Sequence, residues 1–235
     1  MALLEVAAYV GGALAGGLGM YFGIGGFFEW RYYRRRAQAA DWKCQPERWP
    51  SPQARRREIA LGTSNMVLAS IVSGLIAYHF VQHGGTALFW SLDQHGLGYV
   101  VASTLVYLLA TDLLLYWAHR GLHTPRLYRL IHRVHHRWGS PTAFTATAMH
   151  PLELALYQSV MLVPLFVVPL HVVGVVFALI ATNFYALVDH SGVRQSSIWP
   201  FIAPSQFHDD HHAHISVNFG QSFAWWDRLF GTARE

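Results

Sequence analysis

Apolar residues in this chain come in long blocks separated by short polar segments, a pattern of spans rather than of amphipathic surface elements. A helix crossing a hydrocarbon core of about 30 Å needs about 20 apolar residues. Residues 3–28, 59–81 and 99–117 each meet that length. A fourth block, 154–188, is too long for one span and barely long enough for two. Pro164, Pro169 and Gly174 punctuate it, so it reads as a hairpin of two short or bent helices. The first block lacks a basic leader and a small-residue cleavage site, so it is expected to be a retained anchor rather than a signal peptide. Its glycines (Gly11, Gly12, Gly16, Gly17, Gly19, Gly23, Gly25 and Gly26) suit close helix packing in lipid. The expected fold is an all-α integral membrane protein of about four transmembrane elements, the last of them the hairpin, with a helical His-box cap on the cytosolic face.

Composition agrees with this pattern. Of the 235 residues, 53% are apolar and 13% charged, about half the charged share of a soluble domain. The distribution of charge sets an orientation. Nine of the 17 Lys and Arg residues lie in 30–58, five in 119–150 and three from 190 onward, while 82–98 has none. All of them therefore fall on one face of a consistent topology, the face that the positive-inside rule assigns to the cytoplasm. A formal net charge of +4 is then a topology signal beside anionic head groups, and no nucleic-acid role is expected. Cys44 is the one cysteine, which excludes an internal disulfide. The organisation expected is a membrane anchor with a basic connector over residues 1–58, followed by a membrane-embedded domain over 59–235. Residues 42–52, rich in Pro and Trp, read as a connector along the interface.

The polar segments on the basic face carry the chemistry. His119 and His123 stand four apart, His132, His135 and His136 at i, i+3 and i+4, and His208, His211 and His212 in the same spacing, with His190 between the last two groups. On helices each group would share one face, and three such platforms can surround a metal pair. Nine imidazoles are too many for one ion and about right for two. Neutral imidazoles suit iron, zinc, copper or nickel, so ligand type alone does not choose the metal. No cysteine stands near, and a closed structural zinc site needs only four ligands.

A lone histidine is more often packed or hydrogen-bonded than ligating, and that reading holds for His79, His83 and His95 on the opposite face and for His171 in the hairpin. His150 is open between supporting a ligand, being one, and entering a helix; His214 breaks the third pattern and is placed beside the ligands or at the substrate mouth. Ligating imidazoles usually pass their other N–H to a carboxylate or carbonyl. Candidates are Asp112, seven before His119 on the same helical face, Asp189 and Asp209 beside ligands, and Asn183, seven before His190. Phe144, Tyr185, Trp225 and Trp226 either line a lipid route or anchor the interface. Two other classes compete: a His-rich metal transporter, which would hold ligands near the bilayer midplane rather than beyond helix ends, and a haem protein, which needs only two axial ligands.

The three boxes, H-x-x-x-H, H-x-x-H-H and H-x-x-H-H, resemble those of the fatty acid hydroxylase and sterol desaturase superfamily. The likeness runs from about Thr111 to Thr232. It includes Tyr116-Trp117-Ala118-His119-Arg120-Gly121-Leu122-His123, Ser140-Pro141-Thr142-Ala143-Phe144, His150-Pro151, Asn218-Phe219-Gly220-Gln221 and the segment from Trp226 to Thr232, which are similar to the sterol C-5 desaturase branch. Members acting on fatty acyl chains often carry a further histidine where this chain has Ala186. The resemblance implies two irons and molecular oxygen as cofactors, the nine histidines as their ligands, and zinc as a metal that can replace iron in purified protein. It implies desaturation or hydroxylation of a sterol or other membrane lipid drawn from the bilayer. A fatty acyl, sphingolipid or carotenoid hydroxylase is the alternative within the superfamily. It also implies a separate electron donor, cytochrome b5-like or a ferredoxin with its reductase, and an active site on the cytoplasmic face of a bacterial inner membrane or of the endoplasmic reticulum.

Overall fold

The computed structural model describes residues 2–39, 41–196 and 202–234. Among these, helices α1 (Ala2–Phe28), α2 (Pro52–His83), α3 (Gly96–Leu122) and α6 (Val172–Asp189) are long and apolar enough to cross a membrane. Between α3 and α6 lie α4 (Pro125–Leu130) and α5 (Pro151–Leu162); α7 (Ser205–His214) and α8 (Trp225–Leu229) follow. The protein is an all-α membrane protein with four spanning helices.

The hairpin forms as expected. α5 continues as a 3-10 helix, Val163–Phe166, a climb of about 26 Å at 1.5 and 2.0 Å per residue. At its apex β2 (Leu170–His171) pairs in parallel with β1 (Leu88–Phe89), which stands in the loop between α2 and α3. His171 then caps α6, its Nδ1 accepting Val173 N–H, while its Nε2 meets the Trp90 carbonyl. His79 and His83 also lie at this end, in the last turns of α2. The structure therefore separates these histidines from the nine, as their position in the chain predicts.

α1 and α2 pack along small residues, but the glycines of α1 divide. Gly17 meets Ser70, and Gly25 meets Phe144. Gly11, Gly12, Gly16, Gly19, Gly23 and Gly26 have no atom within 4 Å of where a Cβ would stand. The closest backbone approach comes from α2, where a Cβ on Gly74 would lie 2.6 Å from Val10 Cα. α2 also ties down the segment before α5. Glu58 accepts from Thr142 and Thr145, and Asn65 Nδ2 donates to the carbonyls of Thr147 and Met149 at 2.7 and 2.8 Å.

The connector at 42–52 does not merely lie along the interface. Trp42 is buried against Phe28, Tyr33 and Val193. Lys43 bridges to Val193 in the backbone and donates to Ser140 Oγ at 2.6 Å. It closes one side of the cap that holds the histidines.

Candidate metal centre and the cavity beside it

His119 occupies the last turn of α3 and His123 is its C-cap. The next box is not an α-helix. His132–Arg137 forms a 3-10 helix, bounded by non-helical backbone at Ile131 and Trp138. The third box lies on α7, as its spacing predicts, and His190 caps the end of α6.

These elements bring all nine histidines together in two groups. His119, His123, His132, His136 and His211 form one, and His135, His190, His208 and His212 the other; the candidate ligand atoms of each lie within 4.8 Å of one another. The boxes are thus not one to a metal. Adjacent residues on a helix point about 100° apart, so the doublets His135-His136 and His211-His212 each give one ring to each group.

The hydrogen bonds around the rings decide what the centre can hold. His119 Nδ1 stands 2.7 Å from the Phe219 carbonyl and His211 Nδ1 2.6 Å from the Val217 carbonyl. His132 Nδ1 stands 2.7 Å from Glu153 Oε1 in a pair with no solvent exposure, and His190 Nδ1 2.7 Å from Asp189 Oδ1. Carbonyls and carboxylates only accept, so these four rings carry their proton on Nδ1 and turn a bare Nε2 inward. Yet His119 and His132 place those Nε2 atoms 3.1 Å apart. The Nε2 atoms of His211 and His136, and of His208 and His190, also stand close, at 3.1 and 3.0 Å.

Protonation does not relieve it. Burial, followed by the neighbouring imidazoles, lowers the pKa of His123, His132, His135, His208, His211 and His212, and pushes His136 down to about 3. Facing lone pairs at this distance call for a cation between them. Two ligands at about 2.0–2.1 Å from one metal stand about 3.0–3.4 Å apart at octahedral to tetrahedral angles, which is the separation found. His123 Nε2 is buried without a hydrogen-bond partner, as a metal-facing atom would be, and the His212 ring, whose two nitrogens are also unpartnered, has one free to face a metal. The residues fit a pair of metal ions.

The expected supporting groups divide. Asp189 stands against His190 Nδ1. Asp112 is buried but reaches no imidazole: it accepts from Ser222 N at 3.0 Å and Trp226 Nε1 at 2.9 Å, pinning the C-terminal segment to α3. Asn183 is exposed and donates to the Leu179 carbonyl of its own helix. Seven residues are about 10.5 Å of rise, so a shared face does not bring Asp112 or Asn183 to the level of the ligands. Asp209 accepts from Gln45 Nε2 at 2.7 Å, which joins α7 to the connector, and burial pushes its carboxyl up to about 6. His150 is the helix-entry residue of α5, its Nδ1 accepting Leu152 N–H. His214 is exposed at the end of α7. The partner that sequence reading missed is Glu153. It sits in the first turn of an apolar helix, and only the His150-Pro151 helix start marks the position.

A cavity of about 750 Å³ reaches Asp189, the partner of His190, though none of the nine histidines lines it. Asp189 and Ser205, next to His190 and at the start of α7, stand at its polar end, and the rest is walled mainly by apolar side chains of α1, α3 and α6. Of the four aromatics considered for a lipid route, Tyr185 lines it; Phe144 is instead buried against Tyr21.

The family model "Fatty acid hydroxylase" matches residues 104–232, a stretch containing every one of the nine histidines. The chain is 36% identical over 140 residues to the lathosterol oxidase of Homo sapiens, covering 59% of this chain and 47% of that protein. It is 32% identical over 205 residues to the Delta(7)-sterol 5(6)-desaturase erg3C of Aspergillus fumigatus, covering 72% and 63%. To the Delta(7)-sterol 5(6)-desaturase ERG3 of Saccharomyces cerevisiae it is 33% identical over 155 residues, covering 65% and 42%. The chain spans less than two thirds of the length of these relatives. No solved structure matches it.

Proposed function

Because the chain belongs to the fatty acid hydroxylase family, we propose that it is a membrane lipid oxidoreductase. It uses two histidine-held irons and molecular oxygen to oxidise an unactivated C–H bond of a sterol or similar lipid. The observation that carries this reading is the convergence of nine imidazoles in two groups of candidate ligand atoms, with an apolar cavity reaching Asp189, the partner of His190. The names of the relatives, sterol desaturases, favour desaturation of a sterol.

Bound there, the irons supply the oxygen activation that side chains cannot. The residues of the chain do the rest. Glu153, Asp189 and the carbonyls of Phe219 and Val217 each hold an Nδ1 proton, which fixes the tautomer and aims Nε2 at the metal. The apolar walls exclude water and hold the lipid beside the four-histidine group, where small shifts of position separate removal of a second hydrogen from return of a hydroxyl. Exposed Arg126, Arg129, Arg133 and Arg137 stand on the same short helices as the half-buried His136. They form a cationic face suited to an acidic electron-donor protein at the cytoplasmic surface. The ligands lie at or beyond the C-terminal ends of α3 and α6 rather than at mid-bilayer, which disfavours a metal transporter.

The test is turnover in nanodiscs with iron, a reduced donor and a Δ7-sterol, with products read by mass spectrometry. Oxygen-dependent loss of two hydrogens is the expected result, and it disappears in His135→Ala. A gain of one oxygen on an acyl lipid, with the sterol untouched, would replace the sterol desaturase reading with a hydroxylase. Sterol conversion that persists in His135→Ala would refute the metal assignment.

A further inference from the structure

The cavity beside the four-histidine group is open, and its shape says from where. α6 packs against both α1 and α3, while α1 and α3 scarcely touch each other. The cavity-lining residues of α6, Phe177, Ala181, Phe184 and Val188, recur at i, i+4, i+7 and i+11 and so form one stripe. α6 is therefore the floor of a groove whose side walls are α1 and α3. Phe177, Phe184 and, on the α1 wall, Phe27 line it and yet keep 58%, 51% and 52% of their surface accessible. Among the described residues the groove is thus open to one side at the level of these three rings, toward what would be the acyl region of the bilayer, while Gln195, Ile202 and Phe223 line its other end. From Phe177 to Asp189 it follows about 18 Å of helix, leading from mid-span to the ligand level.

Two positions on its surface carry almost no side chain. Gly23 lines the groove from α1, and a Cβ there would meet nothing within 4 Å. Ala181 lies on the floor. The open space at Gly23 is not needed for helix packing, since the α1–α2 contact is made elsewhere on the helix, at Gly17 and opposite Gly74. A cavity of about 750 Å³ spread over about 18 Å of helix has a mean section of roughly 40 Å², wider than one extended hydrocarbon chain needs.

We propose that Gly23 and Ala181 are specificity-determining residues: by leaving the lateral groove between α1 and α3 wide, they admit a flat fused-ring lipid from the bilayer. This inference rests on the reading of the substrate as sterol-like and names the residues that select for it. An aromatic side chain at either position fills the groove without touching a histidine or its partner.

The test uses the full-length protein in nanodiscs with two diazirine probes, one on a sterol and one on a fatty acyl chain, and maps the crosslinked peptides. Wild type is expected to be labelled by the sterol probe on the segments of α1 and α6 that line the groove. Gly23→Phe and Ala181→Phe should each lose at least tenfold of that labelling while keeping wild-type metal content. Gly12→Phe, which adds the same ring to α1 where a Cβ is equally free but away from the groove, should label as wild type. Metal content shows whether each variant folds, and two independent positions guard against one of them failing. Sterol labelling that survives in both groove variants, or falls equally in Gly12→Phe, would overturn the inference and leave the sterol reading standing. Wild-type labelling by the acyl probe alone would overturn both.

Discussion

At the scale of single residues, the centre is organised by which ring nitrogen keeps its proton. Glu153 is the clearest case: with no solvent exposure, it has His132 Nδ1 as the partner of Oε1. Glu153→Leu would leave that N–H buried without an acceptor and free the ring to turn. Metal retention against a competing chelator should weaken about 10- to 100-fold, and unchanged retention would mean that the carboxylate does not position the ligand. Cys44 offers a check on the connector. Burial raises its thiol to about 12, whereas an unfolded cysteine ionises near 8.5. At pH 8–9 the folded protein should therefore react slowly with iodoacetamide and the denatured protein quickly, since the thiolate is the nucleophile. The sign of the linkage follows: a raised thiol pKa contributes stability that is present below the unfolded pKa and is lost as pH rises toward the folded one. Equal rates in the two states would show that the connector does not seal against the cap.

At the scale of elements, small residues set how closely α2 approaches α1, and tightly turned segments set how the ligands divide. A side chain on Gly74 would strike the backbone of α1, which cannot yield as a side-chain tip can. Gly74→Leu should lower the thermal midpoint in detergent, at a cost of about 1–3 kcal/mol for overpacking. Gly12→Leu should leave it in place. Equal midpoints for the two variants would contradict the packing described for α1 and α2. The 3-10 form of His132–Arg137 was not legible in the sequence, because the spacing of its histidines is equally that of an α-helix.

At the scale of the whole molecule, the spans were legible because a bilayer imposes block length directly. The histidines were legible because their spacing repeats. The pairing of ligands across elements was less so. Asp189 could be named because it adjoins His190 in the chain. Glu153 could not, since 21 residues and a change of element separate it from His132. Asp112 and Asn183 show the opposite error, in which a shared helical face was read as a shared level. Of the apolar cavity the sequence offered only Tyr185 among its candidates for a lipid route, since α1, α3 and α6 contribute to it from distant parts of the chain. The molecule as a whole carries its polar chemistry at one end of a bundle of spanning helices, and the cavity leads from the membrane to that end.

The central claim is that nine histidines hold two metal ions, divided five and four. Total iron plus zinc per chain, measured by mass spectrometry of elements on wild type and on His212→Ala purified without chelator, tests it most directly. Two ions in wild type and about one in the variant are expected, since His212 belongs to the four-histidine group alone. One ion or none in wild type, or two retained in His212→Ala, would contradict it.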